Sequence, residues 1–376
     1  MSKLTIRHAT ADDWPIVADL GAQIFARGEG YDNHYKAWMN NLSDPWFRWE
    51  QTYIGLIDGQ IVSHVSYMDR VLRYGRQAEF RFGGISGVIT RPEYRGRGYA
   101  AEVMKAALRG IEGEKYHLTL LDGIARYYDQ FGYVTIWPTR TTKFTIKDLL
   151  RVEDDGAGYR VRAYHPDDLP ALLALYEAEW GNRPCFIPRT AEWMESKVRL
   201  VSAEGNPYTY VVEDKMGNIQ GYSCGWQIQE RMEVIVTNLA ATVALLRHTA
   251  QLLADQPDTA GWWLDLPNTN AATYAQQVCT MQFHTNAIQR GGWRGRFVDR
   301  KSALEILQSE YRDVVFEAQN DCIVIRAGKH ELHVTESELL QLMFGETPYL
   351  YKTAERDILE HLFPPQVNGL AGLDWF

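Results

Sequence analysis

Alternating apolar and polar positions near the start of the chain predict an antiparallel sheet. Leu4–Arg7 alternates like a short strand, and Gly84–Thr90 is a longer apolar, β-branched run. Between them, Thr52–Ile57 and Ile61–Tyr67 flank the dipeptide Asp58-Gly59, which is a strong signal for a hairpin. Segments with a helical period lie between the strands. The pattern therefore predicts a mixed α/β domain.

The last of these strands leads into a basic, glycine-rich turn and then into a helix, Ala101–Leu108. The N–H groups in the first turn of a helix have no partner within the helix and lie at the positive end of its dipole, so they can bind a phosphate group. Gly96 and Gly98 would let a ligand approach the backbone, and Arg95 and Arg97 add positive charge. We therefore predict a phosphate-binding turn. The alternative is a surface turn with two solvated arginines.

A second copy of the first pattern begins 155 residues later, at Val161 in place of Ile6. The two copies share a strand arginine and the motif Asp-Asp-x-Pro at this constant offset, which indicates a repeated domain. The polar, glycine-bearing segment Glu153–Gly158 precedes the second copy, as a domain connector would. The copies differ at one point. In the second copy, Thr237 is followed by Asn238–Val243, which contains neither arginine nor glycine.

The pattern changes again near Gly291. A helix over Val298–Leu307, a hairpin around Ala327–Lys329 and a helix that begins after Thr335 predict a small α+β unit at the C-terminus. A chain of 376 residues has the length of two or three ordinary domains. The predicted domains are residues 1–150, 151–292 and 293–376.

Composition and charge narrow the class of protein. The formal net charge of −9 argues against a general nucleic-acid-binding protein, which needs a basic surface. The four cysteines are far apart and form no Cys-x-x-Cys pair, so neither a disulfide framework nor a metal site is predicted. The first residues lack the apolar core of a signal peptide, and no apolar run is long enough to span a bilayer. We expect a cytoplasmic protein without nucleic-acid or membrane partners.

Two motifs give the first unit a family resemblance. The spacing Arg-x-x-Gly-x-Ala at residues 95–100 resembles the acetyl-coenzyme A (acetyl-CoA) loop of the GNAT acetyltransferases, and Tyr-x-x-Phe-Gly-Tyr at residues 128–133 resembles a later segment of the same family. With the second copy, the small third unit and an apolar aromatic end, the whole chain resembles the Eis-like (enhanced intracellular survival) acetyltransferases. The resemblance implies two tandem GNAT domains, each a mixed, mostly antiparallel sheet flanked by helices, and a sterol-carrier-protein-like α+β domain.

The resemblance also implies an N-acetyltransferase that uses acetyl-CoA as co-substrate and no metal. Backbone N–H groups of Ser86–Thr90 would hold the pantetheine and polarise the thioester carbonyl. The second copy lacks the arginines and glycines of the turn, so we predict that it does not bind coenzyme A. The residues predicted to bind the co-substrate are Val88, Ile89, Thr90, Arg95, Gly96, Arg97, Gly98, Tyr99 and Ala100.

The catalytic groups of the family fall on two residues of this chain. By resemblance, Tyr128 is the general acid that protonates the departing thiolate, and the terminal α-carboxylate of Phe376 is the general base that deprotonates the amine. Desolvation in a pocket raises the pKa of a carboxylate toward a useful value. The neighbouring Tyr127 is the alternative for the acid role. Phe376 could instead be a frayed end, since chain termini are often poorly ordered.

The resemblance implies that the acceptor is a primary amine of a cationic small molecule, such as an aminoglycoside or a polyamine, or a lysine-like amine. It also implies a homo-oligomer, either a trimer or a hexamer. Two alternatives remain, a coenzyme A-responsive binding protein without turnover and a lipid carrier that acts through the C-terminal domain. The candidate substrate residues, which could recognise a cation through charge, ring faces or hydrogen bonds, are Asp32, Trp38, Ser86 and Asp374.

Overall fold

The computed structural model describes residues 3–26, 30–154, 157–183, 185–201, 209–225, 233–254, 263–264, 269–286, 290–320, 322–345, 359 and 362–363. The strands, in chain order, are β1 (Thr5–His8), β2 (Thr52–Ile57), β3 (Gln60–Tyr74), β4 (Ala78–Thr90), β5 (Leu118–Gly123), β6 (Val134–Trp137), β7 (Thr139–Lys143), β8 (Arg160–Ala163), β9 (Tyr210–Glu213), β10 (Ile219–Cys224), β11 (Glu233–Val236), β12 (Trp263–Leu264), β13 (Gln282–Asn286), β14 (Gly292–Phe297), β15 (Val314–Gln319), β16 (Cys322–Ala327) and β17 (His330–Val334).

The α-helices, in chain order, are α1 (Trp14–Phe25), α2 (Tyr31–Asn40), α3 (Tyr99–Gly113), α4 (Ile146–Leu149), α5 (Leu169–Trp180), α6 (Ala191–Val201), α7 (Leu239–Leu253), α8 (Asn270–Ala275), α9 (Arg300–Glu310) and α10 (Glu336–Phe344). Short 3₁₀ helices connect several of these elements, and the one that matters for the site is Tyr127–Phe131. Within the described ranges, no helix is both long enough and apolar enough to cross a membrane.

The first sheet has seven strands in the order β1-β2-β3-β4-β5-β14-β6. The predicted hairpin is confirmed, because β2 and β3 flank Asp58 and Gly59, whose φ values of +49° and +81° suit a tight hairpin turn. Strands β4 and β5 are the parallel pair, and α3 forms the crossover between them. Strand β3 continues to Tyr74, beyond the predicted end at Tyr67, and β4 begins at Ala78, before the predicted start at Gly84.

Strand β14 lies between β5 and β6 and pairs with both in antiparallel fashion. Trp293 is opposite Asp122 on β5 and opposite Trp137 on β6. The sequence pattern did not indicate this strand, because its partners precede it by more than 150 residues. Residues from the far end of the chain therefore complete the first sheet.

The other sheets are smaller. Strands β8 to β11 form a sheet in the order β11-β10-β9-β8, β7 lies between β12 and β13, and β15, β16 and β17 form a meander. All of the pairs in these sheets are antiparallel. The predicted fold class is confirmed as a mixed α/β architecture of mostly antiparallel sheets flanked by helices.

Helices cover both faces of the first sheet. On one face, α3 packs against Val65 of β3 and Ile85 of β4. On the other face, Trp14 of α1 packs against Ile54 of β2, and farther along Phe82 of β4 joins the core of the C-terminal helices α9 and α10. The first sheet is therefore buried from three parts of the chain, the N-terminal helices, the crossover helix and the C-terminal unit.

The internal repeat has a counterpart in the structure. Arg7 of β1 donates to both carboxylate oxygens of Asp13, at 2.6 and 2.8 Å, just before α1. Arg162 of β8 binds Asp168 in the same way, at 2.7 and 2.8 Å, just before α5. Each carboxylate also accepts a backbone N–H from the intervening turn. The same bidentate ion pair therefore fixes the strand-to-helix turn in both copies.

Replacing Asp168 with asparagine is expected to lower the free energy of unfolding by about 1–2 kcal/mol at pH 7, because a buried group loses its charge-assisted hydrogen bonds to Arg162. The neighbouring Asp167 has a side chain that is 91% exposed, so Asp167→Asn should change stability by less than about 0.5 kcal/mol. Urea denaturation of both variants measures the difference. Equal stabilities would contradict the structural role of the repeated ion pair.

Candidate active site

Strands β4 and β5 diverge partway along β4. They pair only where Phe82–Gly84 lies beside Leu118–Leu120. Beyond that point β4 continues to Thr90 beside β3, while β5 continues to Gly123 beside β14. Among the described strands, none fills the gap between the two diverging arms. Backbone groups that face the gap are therefore available to a ligand that can hydrogen-bond as a strand would.

A cleft of about 1150 Å³ opens at this gap. Ile85–Thr90 on β4 and Asp122 on β5 form two of its walls, and the turn before α3 forms a third. Aromatic side chains supply much of the remaining surface. A concave site of this size, with aromatic walls and a few polar groups, is typical of small-molecule binding. The aromatic residues that line it are Trp14, Phe25, Trp38, Trp46, Phe47, Tyr67, Tyr94, Tyr99, Tyr127, Tyr128 and Trp293.

A β-bulge interrupts β4 beside the gap. Two residues of β4, Gly87 and Val88, lie opposite the single residue Val65 of β3. Gly87 has a φ of +60°, and a Cβ atom there would lie 2.8 Å from the ring of Trp38 and 2.9 Å from the ring of His64. Both the backbone conformation and the packing therefore require glycine at this position.

The imidazole of His64 holds the bulge in place. Its Nδ1 lies 2.8 Å from the carbonyl oxygen of Gly87, and because a carbonyl only accepts, Nδ1 carries the proton. The ring is fully buried beside Trp14 and Trp38, and Nε2 has no hydrogen-bond partner among the described residues. Burial lowers the pKa of His64 to about 4, so the ring is neutral at pH 7.

The predicted phosphate-binding turn leads into a helix whose N-terminus has no side-chain cap. Gly98, just before α3, has a φ of +80°, and Gly96 has a φ of +73°. A Cβ atom on either glycine would meet no atom within 4 Å, so the space there is open. In the second copy, by contrast, the side chain of Asn238 accepts the N–H of Ala241 and caps α7. The N-terminus of α3 can therefore bind an anion where that of α7 is already occupied.

The two arginines of this turn have different surroundings. Arg95 lines the cleft, and its Nε donates to the carbonyl oxygen of Thr90 at 3.2 Å. Arg97 donates to the carbonyl oxygen of Glu93 at 3.0 Å, and its guanidinium lies 5.2 Å from the centre of the Tyr94 ring. It is not among the residues that line the cleft. The other predicted co-substrate residues do line it, namely Val88, Ile89, Thr90, Arg95, Gly96, Gly98, Tyr99 and Ala100.

The short helix Tyr127–Phe131 brings the predicted acid to the wall of the cleft. Tyr128 is 6% exposed and lines the cleft, and its ring packs against Gly123 and Tyr133. Burial raises the pKa of its hydroxyl above the usual value, so the phenol is protonated at neutral pH. The hydroxyl of Tyr127 is buried and has no partner among the described residues. Tyr127 lines the cleft as well, and burial also raises the pKa of its hydroxyl, so the assignment of the acid to Tyr128 stays a prediction.

Ion pairs tie this short helix to β14. Asp129 contacts the guanidinium groups of both Arg290 and Arg294. Arg294 is 2% exposed and also donates to the carbonyl oxygen of Tyr133. A buried guanidinium needs such partners, because the loss of any one leaves an unpaired charge in the interior. The position of Tyr128 therefore depends on a strand that lies 165 residues farther along the chain than Asp129.

Two of the four predicted substrate residues line the cleft, Ser86 of β4 and Trp38 of α2. The ring of Trp38 stacks on Phe25 at 6.3 Å between ring centres. Asp32, in the first turn of α2, is exposed and is not among the lining residues. Asp374 lies outside the described residues, as does the predicted base Phe376. Their roles therefore stay predictions.

A buried charge cluster at the cleft was missed by sequence reasoning. The carboxylate of Asp44 is 4% exposed and lies 2.8 Å from Nζ of Lys197 on α6 and 3.8 Å from Arg70 on β3. The guanidinium of Arg70 lies 5.9 Å from the Trp46 ring and 5.8 Å from the Trp193 ring. Burial alone would raise the pKa of Asp44, but the two cations hold it below its usual value. No local motif could signal a pair separated by 153 residues.

A second carboxylate of the cleft, Asp122, was also missed. It lies at the end of β5, and desolvation raises the pKa of its carboxyl above the usual value. It forms no ion pair with any described residue. The structure shows no group of three or more histidine, cysteine or acidic side chains that could hold a metal in the part of the chain that it describes.

Comparison with protein families identifies the unit that contains this cleft. Residues 5–136 match the acetyltransferase (GNAT) domain family, and this range includes β4, the turn, α3, β5 and Tyr128. No curated protein matches the chain. The resemblance of the two motifs to the GNAT acetyltransferases is therefore confirmed for the first unit, and the protein is an N-acetyltransferase.

Solved structures of similar fold cover the whole chain. A probable N-acyltransferase from Enterococcus faecalis V583 is 15% identical, with 100% of both chains covered and a TM-score of 0.66. A GCN5-related N-acetyltransferase from Kribbella flavida is 16% identical, with 100% of this chain and 99% of that chain covered and a TM-score of 0.62. Eis1 from Mycobacterium abscessus is 14% identical, with 100% of both chains covered and a TM-score of 0.62. At these identities the likeness establishes the fold.

His64 is expected to make the protein less stable in acid. Its pKa of about 4 in the folded state lies below the ordinary value of 6.5, so between these pH values the unfolded chain binds the proton more readily. The contribution of neutral His64 to the free energy of unfolding is fully present above pH 6.5. It falls by about 3 kcal/mol as the pH drops to 4. His64→Asn keeps a donor for the Gly87 carbonyl and removes the titration. Urea unfolding across this range should show a smaller acid loss in the variant, and parallel curves would contradict the assignment.

Proposed function

We propose that this N-acetyltransferase transfers the acetyl group of acetyl-CoA directly to a primary amine of a cationic small molecule, or to a lysine-like amine, without a covalent enzyme intermediate. The observation that carries the proposal is the uncapped N-terminus of α3 at one end of the cleft between β4 and β5. The pyrophosphate would bind at this helix start and beside Arg95. The pantetheine would extend along the unpaired edge of β4 toward Tyr128.

The chemistry requires a deprotonated amine and a protonated leaving group. A carboxylate takes one proton from the ammonium, and the free nitrogen attacks the thioester carbonyl. Backbone N–H groups of the bulged strand would stabilise the oxyanion that forms. Tyr128 then donates its proton to the departing sulfur, which its neutral state at pH 7 allows. Family resemblance gives this role to the terminal carboxylate of Phe376, which lies outside the described residues.

The walls of the cleft support a cationic acceptor. Trp38, Trp46, Phe25 and Ser86 all line the cleft, and the faces of aromatic rings attract an ammonium group. Asp122 adds a carboxylate on the opposite arm. We propose on these grounds that the acceptor amine enters between the N-terminal helices and the end of β5.

The second unit and the C-terminal unit are proposed to help build the site. The repeated ion pair supports our proposal that the second unit is a degenerate GNAT domain, and the side-chain cap of α7 supports the proposal that this unit does not bind coenzyme A. The C-terminal unit, proposed to be sterol-carrier-like, contributes β14 to the catalytic sheet. Its interior holds the fully or nearly fully buried side chains of Leu304, Ile325 and Leu340, which favours a packed support over a lipid carrier. We further propose a cytoplasmic homo-oligomer.

The proposal is tested by measuring thiol release from acetyl-CoA with a panel of diamines, polyamines, aminoglycosides and lysine peptides. Amine-dependent release is expected. Gly98→Ala forces a strained backbone at the start of α3, so the KM for acetyl-CoA should rise about tenfold. Gly217→Ala is the matched control, because Gly217 has a φ of +83° and open space but lies in the second unit. Tight binding of acetyl-CoA without release for any amine would favour the binding protein instead.

Tyr128→Phe is expected to lower kcat about 100-fold with little change in the KM for acetyl-CoA, because the variant keeps the ring and loses the proton donor. Tyr127→Phe is its control. The Tyr127 hydroxyl has no hydrogen-bond partner in the part of the chain that the structure describes, so its removal should leave kcat within about twofold. Steady-state kinetics of both variants with the best amine provide the measurement. A larger loss in the Tyr127 variant would move the acid role to that residue.

A further inference from the structure

We infer that Asp122 binds the ammonium group of the acceptor beside the thioester and removes its proton. The inference rests on the proposed function and deepens it. It places on a described side chain the role that family resemblance gives to the terminal carboxylate of Phe376.

The register of the sheet places Asp122 at the reacting end of the cleft. Gly84 and Leu120 form the last pair before β4 and β5 diverge, and Asp122 is the second residue beyond this point on β5. Its counterpart on the other arm is Ser86, at the same distance from the last pair. Since the backbone gap begins between these residues, a thioester held along β4 would lie across from the carboxylate of Asp122.

The alternation of side chains along β5 indicates on which face of the sheet the side chain of Asp122 lies. Leu120 packs with Phe82 in the core that includes helices α9 and α10. Leu121 packs with Ile85 in the core under α3, on the opposite face. Because side chains alternate along a strand, Asp122 shares the face of Leu120. Trp38 lies on this face too, because it packs against His64, whose neighbour Val65 faces α3. An amine that enters beside Trp38 therefore meets the carboxylate of Asp122.

Asp122 lines the cleft with an exposed side chain, and no cation of the described residues forms an ion pair with it. From its own strand it accepts only the N–H of Gly123. The short helix Tyr127–Phe131 carries two neutral tyrosines and Asp129. Arg294 on β14 forms an ion pair with Asp129. The facing stretch of β4, residues 85–90, carries no titratable side chain.

The other acidic residue that lines the described cleft does not compete for this role. Asp44 already has Lys197 and Arg70 within 4 Å. As far as the described residues show, an ammonium that entered the cleft would find Asp122 without an ion-pair partner and Asp44 already compensated by two cations. The desolvation that raises the pKa of Asp122 also makes it a stronger base than an ordinary aspartate.

The proposed reaction conserves protons and bonds. The carboxylate of Asp122 takes one proton from the ammonium and passes it to solvent. The amine nitrogen then forms a bond with the acetyl carbon, and the carbon–sulfur bond breaks. The thiolate takes a proton from Tyr128, and Tyr128 regains one from solvent, which receives the second proton lost by the nitrogen. The products are the amide, coenzyme A as the thiol, and one proton.

The test compares the full-length wild type with Asp122→Asn, Asp122→Glu and a form extended by a few residues after Phe376, using the amine that the wild type acetylates fastest. Asp122→Asn should lower kcat/KM for the amine about 100-fold near pH 7 and leave the Kd of acetyl-CoA unchanged. Its activity should recover as the pH passes the pKa of the amine, because a free amine needs no base. Asp122→Glu should keep at least about a tenth of the wild-type value. Asp167→Asn is the surface control.

Each outcome decides one of the two proposals. Wild-type kcat/KM and pH profile in Asp122→Asn, with loss of activity in the extended form, would overturn the inference and assign the base to the terminal carboxylate. If Asp122→Asn no longer binds acetyl-CoA, the activity of Asp122→Glu becomes the test. Loss of activity in Asp122→Glu would then overturn the inference. A wild type that acetylates no amine would reject the proposed function itself, and this role of Asp122 with it.

Discussion

The structure depends on the divergence of two parallel strands. β4 and β5 are held together over only three residue pairs, and everything beyond that point is arranged around backbone that has lost its neighbour. Unpaired N–H and C=O groups in an interior are costly unless something else hydrogen-bonds to them. The bulge at Gly87 and its bond to His64 satisfy one carbonyl from within the protein. The rest of the edge is left for a ligand with hydrogen-bonding groups of its own, such as the pantetheine of the proposed co-substrate.

Buried charges position the two ends of the cleft. Arg294 and Asp129 fix the short helix that carries Tyr128, while Lys197 and Arg70 surround Asp44 beside the aromatic wall. Ion pairs of this kind contribute little net stability, because desolvation offsets most of the attraction, but separating the partners is very unfavourable. They are therefore better suited to fixing geometry than to stabilising the fold. Both clusters join parts of the chain that are distant in sequence.

That distance explains what the sequence could and could not predict. The hairpin at Asp58-Gly59, the repeated motif and the glycine-rich turn are local patterns, and each has the predicted structure or a clear counterpart. The motif around Tyr128 is local as well, and it led to a residue that lines the cleft. The partners of Asp129 and Asp44 follow from long-range packing, which no local pattern encodes. Asp122 was missed for a different reason, since a single aspartate after a strand is unremarkable until the direction of its side chain is known.

The insertion of β14 between β5 and β6 also sets the order in which the protein can fold. A nascent chain that has just left the ribosome with β1 to β6 complete has an unpaired edge on β5, since the strand that covers it ends at residue 297 of 376. Such an edge can pair with other chains, and closing so long a loop is entropically unfavourable. The contact order of the catalytic sheet is therefore high, and slow folding is the usual result. Acetyl transfer would accordingly begin only after most of the chain has been synthesised, so a truncated product would lack both the activity and a protected sheet edge.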